Sequence, residues 1–379
     1  MFITSGVCFL YFSLGLGFGA PTVMIPQIRK EANSTDAVSD SMASWLTSVH
    51  GYSSLPWVVI IPIFTKYFGR RLPFIIISLS TIASFVVFYF SINITQLFIS
   101  AIMLGMLLAS NITLFTLIIT EYSSPRYRGI FMIFKGTLFY VGVWVANATG
   151  VFSHWRNIGF IALVCSLCSL TAFFWPESPY WLAMKGRFED SAASHRWLRG
   201  RGKEAEHELE SLINSQKTYL KTCAGRKNTV SWNQLKYIME LVSTKAYHMP
   251  LLISFSVMSM YHFSGKLVCS MYAVDLMNEI TGSASMANIG MLIMDSVTLI
   301  GMQVGCVLSK FLKRRTLFFS SSITGIIFLF IISIYLYLIR YEIIKENIYI
   351  SIVLLTLFSV SISSGAMIMP SILFGELIC

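Results

Sequence analysis

Stretches of about twenty apolar residues recur along this chain, and nothing else in the sequence constrains its fold as strongly. Six lie at about 2–25, 44–65, 73–92, 96–119, 130–152 and 157–175, and four more at about 249–272, 286–309, 316–339 and 348–372. A helix of roughly twenty residues crosses about 30 Å of hydrocarbon, and only helices satisfy every backbone group there without a closed barrel. With 55% hydrophobic and 12% charged residues in 379, no soluble core could hide this much apolar surface. The sequence therefore predicts an all-α polytopic membrane protein with ten spans.

The net charge of +10 does not mark a nucleic-acid partner, because the basic residues sort by membrane side instead of lining a groove. With the N-terminus cytoplasmic, Lys66, Arg70, Arg71, Arg126, Arg128, Lys310, Lys313, Arg314 and Arg315 fall inside. Only Arg29, Lys30, Arg156, Arg340 and Lys345 fall outside. The sequon at Asn33 then lies outside, where a glycan can be attached. The first segment has no basic residues before it and is too long for a signal-peptide core, so it reads as a span whose glycines pack closely or line a path. The seven cysteines form no extracellular disulfide framework, and Cys165 and Cys168 read as packing or lipid-facing thiols. No metal or cofactor constellation is predicted, and no catalytic one either.

Three regions follow: a six-helix bundle at 1–176, a cytoplasmic loop at 177–246 and a second bundle at 247–379. The loop alternates acids and bases among helix formers, as in KEAEHELESLINSQKTYLK, which predicts one or two solvated helices. KYFGRRL at 66–72 is echoed by KFLKRRT at 310–316, as expected of parallel repeats in a transporter.

Several motifs resemble the sugar porter family of the major facilitator superfamily, most closely its insect facilitated-trehalose-transporter-like branch. PESPYWLAMKGRFEDSAASHRWLRG at 176–200 is similar to the signature after the family's sixth span, with Tyr180 in place of its arginine. YFGRR at 67–71, the Glu121 to Arg128 spacing with Gly129, Trp155-Arg156, and HFSGKLVCSMY at 262–272 occur in the family's order. The resemblance implies a major facilitator fold and alternating access around a midplane site, for facilitated movement of a sugar such as trehalose or glucose or a related small polar solute. It also implies a plasma-membrane setting and a cytoplasmic gate of Arg70, Arg71, Glu121, Arg128, Glu177, Arg314, Arg315 and Glu376. The implied substrate cavity holds Thr137, Tyr261, His262, Ser264, Lys266, Tyr272, Asp295 and Ser371.

Departures accompany the matches. Tyr261, His262, Leu267 and Gly136 stand where the family binds sugar with amides, Ala101 replaces a fourth-span arginine, and Gly19 stands where proton-linked relatives carry a carboxylate. The last point favours movement without a coupling ion. Among ionisable residues in spans, Lys135 is expected to snorkel to the inner interface. Lys266 and Asp295 form a buried pair or a polar patch on the cavity, or Lys266 reaches the outer surface alone. In the family pattern, Cys379 falls before two further helices, so the second bundle is expected to be truncated at four. A truncated or non-transporting relative acting as sensor or partner is the alternative reading.

Overall fold

The computed structural model describes residues 2–32, 38–225, 244–274, 277–278, 284–341, 343–344 and 347–370. Six long helices come first: α1 (Phe2–Glu31), α2 (Asp40–Phe68), α3 (Arg71–Tyr89), α4 (Ile94–Tyr122), α5 (Pro125–Phe152) and α6 (Arg156–Phe174). A polar layer of α7 (Pro179–Met184), α8 (Phe188–Arg199) and α9 (Lys203–Gly225) follows. The second half comprises α10 (Lys245–Phe263), α11 (Lys266–Met271), α12 (Ala284–Phe311), α13 (Arg314–Arg340) and α14 (Ile348–Ser364). The central loop is thus three helices over its described part, more than the one or two its charge pattern suggests.

Eight described helices are long and apolar enough to cross a membrane. Two of the ten expected spans differ from expectation. The segment at 249–272 is broken after Phe263, where Gly265 takes φ 76° and the Ser264 hydroxyl turns back to the Tyr261 carbonyl at 2.7 Å. A positive φ stops a helix of L-residues, so the apolar pattern continues across a backbone that does not. The last segment is a helix of only 17 residues, Ile348–Ser364. At the other extreme, α1 runs through Pro21 and Pro26 to Glu31, past the point where its apolar pattern ends.

The first half is assembled on the α1–α5 crossing. Gly15 and Gly19 of α1 face Gly142 and Ala146 of α5, and a Cβ on Gly15 would lie 3.0 Å from the Gly142 Cα. Lipid offers no hydrophobic drive for helix association, so small residues that let backbones approach supply the dispersion energy instead. Beside this crossing, Phe74 stacks at 4.7 Å on Trp175 and at 5.6 Å on Phe115, with Tyr11 5.5 Å beyond. α4 carries a π-turn at Asn111–Phe115, and the Tyr11 hydroxyl bonds to the Asn111 side chain.

The second half repeats the device. Gly301 and Gly305 of α12 sit against Ser363 and Ser364 after α14's midpoint, and Gly365 sits against Ser321 of α13.

Candidate functional site: a closed polar seam and cavity between two helical halves

Polar groups collect in three places. The first is the end of the first half that carries α7–α9. There the Arg70 guanidinium grips Glu121 with two bonds, Nε to Oε2 at 3.0 Å and Nη2 to Oε1 at 2.8 Å. Both residues are buried. Arg70 Nη1 also donates to the Thr65 carbonyl at 2.8 Å, and the Ser178 hydroxyl donates to Glu121 Oε2 at 2.5 Å. Glu177 accepts the backbone N–H groups of Arg70 at 2.7 Å and Ser178 at 2.8 Å, so its carboxylate caps the start of α3. Gly69 makes room for it: its φ is 90°, and a Cβ there would sit 2.6 Å from the Glu177 carboxyl carbon.

Around this core Arg71 Nε donates to the Ala172 carbonyl at 3.2 Å, and Arg128 Nη2 to the Tyr180 hydroxyl at 3.4 Å. Arg199 of α8 reaches the Ser123 carbonyl at 3.0 Å and pairs with Glu208. The cluster ties the α2–α3 turn, the end of α4 and the polar layer into one unit. Its bonds run within the first half and the polar layer. Arg315 lies over its own helix's Phe319 ring at 5.8 Å, and among the described residues no ion pair joins it to Glu121 or Glu177. Arg314 starts α13. Glu376, Ser371 and Asn33 lie outside the described residues.

The second place is a narrow cavity between the halves, closed down to about 20 Å³ in this arrangement. It is lined by Phe18, Gly19, Thr22, Tyr140 and Val143 from the first half, and Tyr261, Lys266, Leu267, Ser270, Asp295 and Thr298 from the second. Lys266 is 2% exposed, and its ammonium donates to Thr298 Oγ1 at 3.0 Å and Ser359 Oγ at 2.8 Å. Asp295, 6% exposed, accepts the Asn147 amide at 2.6 Å. Of the alternatives expected for Lys266 and Asp295, the arrangement is that of a polar patch: each charge has neutral partners of its own on a shared cavity wall. Thr22 also lines a second cavity with Arg29, Asp40, Thr47 and Tyr272, towards the α1–α2 end.

Other expected cavity residues are placed differently. His262 is exposed, with its ring 5.3 Å from that of Tyr261, and is not among the residues that line the cavity. Ser264 serves the break itself, accepting the Lys266 N–H at 3.4 Å. Tyr272 lines the second cavity and not the first. Lys135 does not snorkel to an interface: it turns inward to Thr116 Oγ1 at 3.0 Å, 4.7 Å from the Tyr11 ring centre. The π-turn of α4 precedes Thr116, and an aromatic face is a favourable neighbour for an ammonium in a dry site.

The third place is a seam from α5 to the second half. Thr137 accepts from Gln303 Nε2 at 3.1 Å, Tyr140 and Tyr261 share hydroxyls at 3.0 Å, Trp144 Nε1 donates to Ser296 Oγ at 2.8 Å, and Asn147 bonds Asp295. Thr137 thus belongs to the seam. Asn147, Trp144, Thr298 and Ser359 escaped the sequence reading, although Thr137, Tyr140, Trp144 and Asn147 recur at three- and four-residue steps on one helix face, a signal that was there to find.

Two helical halves meeting along a central cavity match known carriers. A model of a family described as sugar (and other) transporter matches residues 5–378. The chain belongs to that family. It is similar to a protein named facilitated trehalose transporter Tret1 of Apis mellifera ligustica, 23% identical over 97% of this chain and 71% of the relative. A relative of the same name from Drosophila willistoni is 23% identical over 79% of this chain, which spans only about a third (33%) of that relative's length. Among solved structures, the xylose transporter XylE of E. coli in a partially occluded inward open conformation superposes with a TM-score of 0.71 at 14% identity, covering 100% of this chain and 90% of that one. The proton:xylose symporter XylE bound to 6-bromo-6-deoxy-D-glucose gives 0.71 at 17% identity, covering 98% and 81%. These likenesses establish the major facilitator fold.

Proposed function

We propose that the chain is a facilitative carrier that moves a sugar such as trehalose or glucose, or a related small polar solute, across the plasma membrane by alternating access. The observation that carries this reading is the cavity between the halves, where Phe18, Tyr140 and Tyr261 surround Lys266, Asp295, Thr298 and Ser270. Aromatic faces cover the apolar faces of a sugar ring, while a carboxylate accepts hydroxyl protons and an ammonium donates to hydroxyl oxygens. Those two charges take over the roles that amide side chains play in the sugar porters this sequence resembles. The names of the trehalose-transporter relatives support the same class of solute.

In this reading α7–α9 and the Arg70–Glu121–Glu177 cluster lie on the cytoplasmic side with the N-terminus, and Asn33 carries a glycan outside. The cluster fixes the shape of the first half, so that it moves as one body. Lacking a carboxylate at Gly19, the carrier runs down the solute gradient.

The test is uptake of radiolabelled trehalose and glucose by a transporter-deficient host expressing the chain. Saturable uptake that survives collapse of the proton gradient is expected, reduced at least ten-fold by Asp295→Ala at equal surface expression. Surface-expressed protein that moves neither sugar would reject the sugar assignment.

A further inference from the structure

We propose that Lys135 of α5, together with Asn111 and Thr116 of α4 and Tyr11 of α1, forms a binding site for a small monovalent anion inside the first half, with donors that fit a halide ion or a single carboxylate. None of these residues lines the cavity between the halves, and occupation of the site does not depend on which solute is carried.

Charge is the first ground. Lys135 stands about 15 Å along α5 from Pro125, half of the hydrocarbon thickness of roughly 30 Å. Its ammonium turns inward and donates to Thr116 Oγ1 at 3.0 Å, with the Tyr11 ring centre 4.7 Å away. Among the described residues no ion pair involves Lys135. Glu121, the carboxylate that α4 carries beyond Thr116, gives both of its oxygens to Arg70. A cation at this depth without a counter-charge is costly, and one hydroxyl and one aromatic face offset only part of the loss of water. A bound anion offsets the rest.

Hydrogen bonding points the same way. The Tyr11 hydroxyl donates to the Asn111 side-chain oxygen and to the Asn111 carbonyl at 3.2 Å, and the Thr116 hydroxyl donates to that same carbonyl at 3.4 Å. These contacts draw the ammonium, the two hydroxyls and the Asn111 side chain into one cluster at the π-turn Asn111–Phe115, a helix irregularity of the kind that recurs at functional sites. The oxygens of the cluster are thus taken up by its own hydroxyls and by Lys135. An ammonium has three N–H donors and a primary amide two, and beyond the Lys135–Thr116 bond these find no acceptor among the described residues. The cluster therefore holds a surplus of donors and one uncompensated positive charge. Lys135, Asn111 and Thr116 are each partly exposed, so an ion can reach them. A single positive charge is matched by a single negative one, which favours a halide or a carboxylate over a divalent oxyanion that would bury a charge of its own.

The test measures anion binding to the purified full-length chain in detergent, with no sugar present. Radiolabelled chloride is expected to bind saturably and to be displaced by formate, but not by sulfate at equal ionic strength. Lys135→Gln keeps a donor for Thr116 and loses the charge, so it should weaken binding at least ten-fold. Lys266→Gln removes the ammonium on the wall of the cavity between the halves and should change binding by less than two-fold. Formate binding that depends on Lys135, without chloride binding, supports the site with a carboxylate, free or carried on a solute, as its ligand. Binding of neither anion, as for an amine that lies there uncharged, overturns the proposal, and so does undiminished binding in Lys135→Gln or an equal loss in Lys266→Gln. Should Lys135→Gln fail to fold, Asn111→Ala decides, because it leaves the charge and removes the amide donors: binding at least five-fold weaker is expected, and unchanged binding overturns the proposal. Lys135-dependent anion binding in a chain that moves neither trehalose nor glucose would count against the sugar reading alone.

Discussion

The Arg70–Glu121 pair shows how much depends on a single side chain when charges leave water. Removing one partner strands the other in a buried site, so Arg70→Ala or Glu121→Ala should each lower stability by about 3–5 kcal/mol, read as thermal aggregation of detergent-solubilised protein. Lys266 and Asp295 each have neutral partners but share one cavity wall, so the Lys266→Ala and Asp295→Ala changes should not add: the double variant should lose less folded yield than the sum of the two, measured by size-exclusion chromatography. His195 of α8 supplies a pH dependence outside the spans. Burial is the main cause that pushes its imidazole below the ordinary value near 6.5; the Arg199 and Arg196 guanidiniums add to this and the Glu206 carboxylate opposes it. A base held neutral by folding takes up its proton more readily when unfolded, so stability rises with pH across that window. The polar layer should therefore be fully docked above about pH 6.5 and loosen as pH falls towards the folded value, which hydrogen exchange at α8 would report and His195→Gln would flatten.

Helices in this protein are joined by what their sequences omit as much as by what they carry. Gly15 and Gly142 let α1 and α5 touch backbone to backbone, so Gly142→Leu should abolish folded yield while Leu138→Ala, elsewhere on the same helix, is tolerated; fluorescence-detected chromatography would separate them. The α10–α11 break rests on the left-handed backbone of Gly265, where Gly265→Ala should cost about 1–2 kcal/mol. Without the break, Lys266 would be carried on a continuous helix and rotated away from Thr298 and Ser359. The ladder of apolar residues from 249 to 272 reads as one span because hydropathy averages over a window and one residue's φ leaves it unchanged.

On the scale of the molecule, apolar segments of membrane-crossing length, the sorting of basic residues and the order of short motifs determine a helical bundle in two halves with a polar layer between them in sequence. These are properties of runs of residues, and burying backbone polar groups in hydrocarbon leaves the chain little other choice. The Glu121 to Arg128 spacing and PESP segment likewise mark the charged end before any contact is known. Tertiary structure alone decided which charges meet. It placed Arg70 on Glu121 and Ser178, left Arg315 to its own helix, turned Lys135 inward, held Lys266 and Asp295 apart on one wall, and aligned a stripe of α5 with α12. Pairings of this kind depend on how helices are rotated about their axes, which is set by close packing at glycines and by a broken backbone, and a side chain one residue along a helix points about 100° away.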